Sequence, residues 1–110
     1  MIPNVKIGAV TYNIKELDDL HDVDGEGRKV YFHGRIDYSE ALVKIAEDQA
    51  HDVKVVTLWH ELLHAILKNA GYDDHSETHI DALAYGLIQV MRDNRPLVDY
   101  TLYPPAQQTD

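Results

Sequence analysis

The segment Thr57–Ile66, TLWHELLHAI, places two histidines four residues apart, with a glutamate directly after the first, in an otherwise apolar run. A helix turns once in about 3.6 residues, so His60 and His64 point the same way. Two imidazoles one turn apart can grip one metal ion, and Glu61 lies about 100° round the helix, beside that ion without ligating it. This is the H-E-x-x-H arrangement, in which zinc lowers the pKa of a water towards about 7 and the glutamate serves as general base. Three ionisable groups on an apolar helix are costly to bury unpaired. A metal ion compensates that cost, which makes His60 and His64 candidate metal ligands, Glu61 the candidate catalytic base and Zn2+ the expected cofactor.

The remaining composition narrows the setting. With 110 residues, 45% of them hydrophobic, the chain supports one small domain with a modest core. Cysteine is absent, so neither disulfides nor thiolate ligands are available, whereas seven histidines are. The start of the chain does not read as a signal peptide and no apolar run has the length of a membrane span, so the expected location is cytoplasmic, with no membrane partner. A formal net charge of −9 repels phosphate backbones and disfavours nucleic acid. The acidic cluster from Asp18 to Glu26 lacks EF-hand spacing and reads as an exposed loop.

Hydrophobic periodicity predicts an α+β fold. Residues 4–14 read as one strand bent near Gly8, residues 15–29 as a loop, and 30–39 and 41–46 as two strands joined by a tight turn. His33, alone on a strand, reads as a surface residue. A mostly buried helix is expected over 48–70, closed by Gly71. Asp74 followed by Glu77 fits a capping box that opens a second, antiparallel helix ending near Asn94. Residues 1–95 then form a single domain, and 96–110 a tail, either disordered or laid over the surface. Its apolar Tyr100, Leu102 and Tyr103 suggest a tail close to the cleft.

A catalytic zinc site takes three protein ligands and an open position. His75, Glu77, His79 and Asp81 are the downstream candidates. From His64 to Ala70 a helix rises about 9 Å, and an antiparallel helix opening at Asp74 needs about seven residues to return to that level. This favours Asp81 as the third ligand. Glu77 is then occupied in capping, His75 falls short at the helix start, and His79 faces outward.

The segment TLWHELLHAILKNAGYDDHSETHIDALAYGLIQVMRDN, residues 57–94, resembles the active-site helix pair of small gluzincin-type metallopeptidases, including ImmA/IrrE-like proteins and compact phage relatives. Upstream, GRIDYSEALVKIAE resembles the strand pair that precedes their zinc helix. The resemblance implies a small, twisted, mainly antiparallel sheet packed on the zinc helix, a zincin-like fold. It also implies zinc-dependent hydrolysis of a protein or peptide substrate, which adds as a strand to the sheet edge; ALVKIA is the candidate edge. Asp81-Ala82 with Tyr85 is similar to the third-ligand segment of ImmA/IrrE-like proteins, although Asp stands where those usually have Glu. ETHID also matches the E-x-x-x-D of thermolysin-like enzymes, in which the Glu ligates and the Asp supports a ligand histidine. Tyr38, Tyr85, Tyr100 and Tyr103 are candidates to steady an oxyanion. The alternative reading is a non-catalytic zinc domain, a phage-type accessory or regulatory protein, although such a site has no need of Glu61.

Overall fold

The computed structural model describes residues 1–105. Its fold is α+β: a four-stranded mixed sheet, a separate two-stranded sheet and three helices. Strands β1 (Asn4–Ile7) and β2 (Val10–Leu17) form a hairpin that turns at Gly8–Ala9, where a single bent strand was expected. The expected loop over 15–29 contains the end of β2 and most of a second hairpin, β3 (His21–Val23) with β4 (Lys29–Tyr31). The expected strand over 30–39 is broken. The Phe32 N–H donates to Leu20 while the His33 carbonyl accepts from Ala46, so the chain passes here from one sheet to the other. Strands β5 (Gly34–Asp37) and β6 (Leu42–Ala46) then pair antiparallel around the expected turn.

The strand order is β1-β2-β6-β5, and β2 pairs with β6 in parallel. ALVKIA therefore supplies a central strand, and the edge on that side is β5. Burial explains the placement: Val43 and Ile45 on β6 are completely inaccessible, as a strand covered by a helix and flanked on both sides requires.

Helix α1 (His51–Asn69) lies across the sheet. Its Leu58, Leu62 and Ala65 pack with Tyr12, Ile14, Val43 and Ile45. Its Leu63, with Trp59 and Leu67, packs on Ile80 and Ala84 of α2 (Glu77–Asp93). A helix clamped between a sheet and a second helix needs two apolar faces. His60 and His64 occupy the seam between those faces. Truncating the centre of the first cluster, Ile45→Ala, is expected to cost about 2–5 kcal/mol, measurable by urea denaturation.

Helix α3 (Arg95–Leu102) occupies the expected tail, with Pro96 in the first turn, where its missing N–H costs nothing. Among the described elements α3 packs on α2 alone. Tyr100 and Tyr103 thus stand away from the histidines, contrary to a tail lying at the cleft; residues 106–110 fall outside the described residues. No helix among the described residues is long and apolar enough to cross a membrane.

The turn between β3 and β4 is organised by Asp24, whose Oδ1 accepts the N–H groups of Glu26 and Arg28, each at 2.9 Å. These bonds hold its carboxyl below the usual range. A lowered native pKa stabilises the fold above the unfolded value of about 3.9, and that contribution is lost as pH falls through the native pKa. Asp24→Ala should therefore reduce amide protection of β3–β4 near neutral pH, and the wild type should approach the variant in acid.

Candidate metal centre

Helix α1 ends in a turn that directs the chain back along its own flank. Gly71 has φ +95°, a left-handed conformation that glycine adopts without steric cost. Its N–H donates to Lys68, and that of Tyr72 donates to Leu67. Residues 72–76 carry no regular structure, and α2 opens with Ser76 as its N-cap, the hydroxyl accepting from the His79 N–H at 3.4 Å. The capping box expected at Asp74 is not formed. Glu77 is the first residue of α2, free of any capping duty, and the N-cap stands two residues later than the expected Asp74.

The irregular residues 72–76 carry the chain back along α1 before α2 begins, so the first residue of α2 already stands level with the histidines. Glu77 Oε2 lies 3.0 Å from His60 Nε2, and its Oε1 lies 3.1 Å from His64 Nε2. The two Nε2 atoms are 3.3 Å apart. His60, His64 and Glu77 form a group able to hold a metal ion. Asp81, favoured on helix rise, lies one turn further on, with Oδ1 2.7 Å from His60 Nδ1, the ring nitrogen remote from the cluster. The structure thus brings Glu77, rather than Asp81, to the paired Nε2 atoms.

The contacts of the other ring nitrogens match the tautomers that leave both Nε2 atoms free for a metal ion. His60 Nδ1–H donates to the Asp81 carboxylate, leaving Nε2 with its lone pair. His75 Nε2–H donates to the Tyr72 carbonyl, so His75 Nδ1 is an acceptor. It receives His64 Nδ1–H at 2.7 Å, which frees His64 Nε2 as well. Two lone pairs and a carboxylate thus converge on one point. Bonds of 2.0–2.1 Å to a tetrahedral ion imply ligand separations of about 3.3 Å, and the observed spacings lie close to this. The donor set suits zinc.

Glu61 is 8% exposed. Burial pushes its carboxyl up, the neighbouring His60 opposes this, and Glu77 adds to it. Glu61 nevertheless lines the groove beside the histidines. Its carboxylate therefore opens to solvent in the groove, where an incoming water can reach it. Burial likewise pushes His64 down, favouring the neutral imidazole that a metal requires.

The groove consists of two hollows that share Gly34, His60 and Glu61. One, of about 360 Å³, continues past Val53, Val56 and Tyr85; the other, of about 580 Å³, continues past Tyr38, Ile36 and Arg35. Both run beside the edge strand β5. Gly34 lets the start of β5 lie against α1, because a Cβ there would meet Thr57 Cγ2 at 2.5 Å. Tyr38 is half-buried on the Glu77 side and Tyr85 exposed on the Asp81 side, so each of these two candidate tyrosines faces the groove.

Two residues outside the expected set belong to the site's surroundings. His75 is one. The other is His33, which borders the first hollow and donates from Nδ1 to Gln49 Oε1 at 2.9 Å. Gln49 in turn donates to the carbonyls of His33 and Ala46, anchoring the start of β5. Neither histidine carries a local signal, because each acts through a partner at least 11 positions away. No protein-family model, curated protein or solved structure matches the chain.

Proposed function

We propose that this protein is a zinc-dependent peptidase of the gluzincin type, with His60, His64 and Glu77 as ligands and Glu61 as general base. The observation that carries the reading is one constellation. Two histidine lone pairs and a carboxylate converge beside a buried but open glutamate, midway along a groove bordered by a free strand edge. When bound, zinc supplies Lewis-acid activation of water near neutral pH.

The chain's own residues carry the remaining steps. An extended peptide pairs with β5 and lays its side chains alternately into the hollows and out to solvent. This edge replaces ALVKIA, which lies inside the sheet. Glu61 takes the proton of the attacking water and returns it to the leaving amine. Its raised affinity for protons suits that exchange, and the charge of a nearby cation offsets part of the rise. Asp81 holds His60 in the ligating tautomer. The fold fits a zincin-like arrangement, with the sheet on one side of the zinc helix and the second ligand-bearing helix on the other.

Incubation with an unfolded protein such as reduced casein tests the activity. Cleavage that is abolished by a chelator and restored by zinc supports the reading. Zinc-loaded protein that leaves casein and a broad peptide library intact indicates a non-catalytic zinc domain instead.

A further inference from the structure

We infer that His75 is a positioning residue for the metal centre: it fixes His64 in the tautomer whose Nε2 faces the ion. The inference rests on the zinc reading above and adds a residue to it.

The chain of contacts begins at the end of α1. Gly71 turns the backbone, and the Tyr72 N–H is held by Leu67. This orients the Tyr72 carbonyl, which accepts from His75 Nε2–H. A neutral imidazole that donates from one nitrogen must accept at the other. His75 Nδ1 therefore receives the proton of His64 Nδ1, 2.7 Å away. The ring centroids lie 5.0 Å apart with planes 29° apart, so the rings meet edge to edge and nearly coplanar, as an in-plane N–H···N bond requires. The backbone geometry of a helix end thus reaches a metal ligand through one imidazole.

The two ligand histidines are supported unequally. His60 leans on the carboxylate of Asp81, and His64 on a neutral ring. A carboxylate partner makes its histidine more basic than a neutral acceptor does. The neutral partner keeps the charge of the site lower and leaves a bound ion the stronger Lewis acid. Outer partners of this kind are worth about 10- to 100-fold in metal affinity.

Two variants separate this role from packing. His75→Phe keeps an aromatic ring against His64 and removes the acceptor. His75→Asn keeps an acceptor where Nδ1 stood and removes the ring. Zinc affinity by chelator competition should fall about 10- to 100-fold in His75→Phe and be substantially recovered in His75→Asn, with circular dichroism confirming that both are folded. Long-range 1H–15N spectra of the metal-free protein, taken about two units above the ordinary histidine pKa, should show His64 protonated on Nδ1 in the wild type and shifted towards Nε2 in His75→Phe. Equal zinc affinity in wild type and His75→Phe, or a wild-type His64 protonated on Nε2, overturns the inference. A wild type with the expected tautomer that nevertheless ignores zinc overturns the metal reading and, with it, the role of His75 towards the ion.

Discussion

Glu77→Ala is expected to weaken zinc binding by more than the roughly 100-fold that loss of an outer-sphere partner costs, because it removes one of three groups that converge within bonding range. Asp81→Ala should fall within about 10- to 100-fold, since it frees the His60 ring to rotate and change tautomer without removing a ligand. Chelator competition on the two variants ranks them directly. Stability need not follow the metal. Glu77 is 68% exposed on its side chain and does not cap α2, so the metal-free Glu77→Ala protein should melt close to the metal-free wild type.

Glu61→Gln is expected to retain zinc and to lower peptide hydrolysis by roughly 100- to 10,000-fold, the usual contribution of a general base. Glutamine keeps the shape and cannot accept the proton. The same variant carries a second signature. Burial raises the native pKa of Glu61, so the ionised carboxylate opposes folding. That cost grows as pH rises past the unfolded value and is complete above the native one. Metal-free Glu61→Gln should therefore melt at or above the wild type near neutral pH, and the difference should vanish in acid. Loss of activity from a misfolded site would instead lower the melting temperature.

Helix periodicity made α1 and α2 legible, because both carry apolar residues at helical spacing over more than four turns. The motif on α1 was equally plain, since His60, Glu61 and His64 are neighbours in sequence. The short hairpin β3–β4 was not: three-residue strands give alternation too little length to register. The parallel pairing of β2 with β6 joins residues 29 apart, and no local pattern announces it. Which acidic side chain meets the two histidines turned on where α2 begins. Asp74 and Ser76 are both good N-cap residues, and choosing the earlier one displaces every later side chain. With Ser76 as the cap, Glu77 faces the histidines and Asp81 moves behind His60. The E-x-x-x-D spacing in ETHID puts Glu77 and Asp81 one turn apart on α2, and the helix-rise estimate favoured the later of them because it left out the return made by the irregular residues 72–76 before the helix begins. His75, set aside for lying too early to ligate, meets the His64 ring at Nδ1 instead.

One zinc ion held by His60, His64 and Glu77 is the arrangement on which the proposed activity depends. Diffraction from zinc-loaded crystals, with anomalous data on both sides of the zinc absorption edge, measures it most directly. A single anomalous peak is expected, bonded to Nε2 of both histidines and to the Glu77 carboxylate, with Asp81 on His60 Nδ1 and Glu61 beside the ion without touching it. A peak bonded to Asp81 in place of Glu77, or no peak between the two histidines, would contradict it.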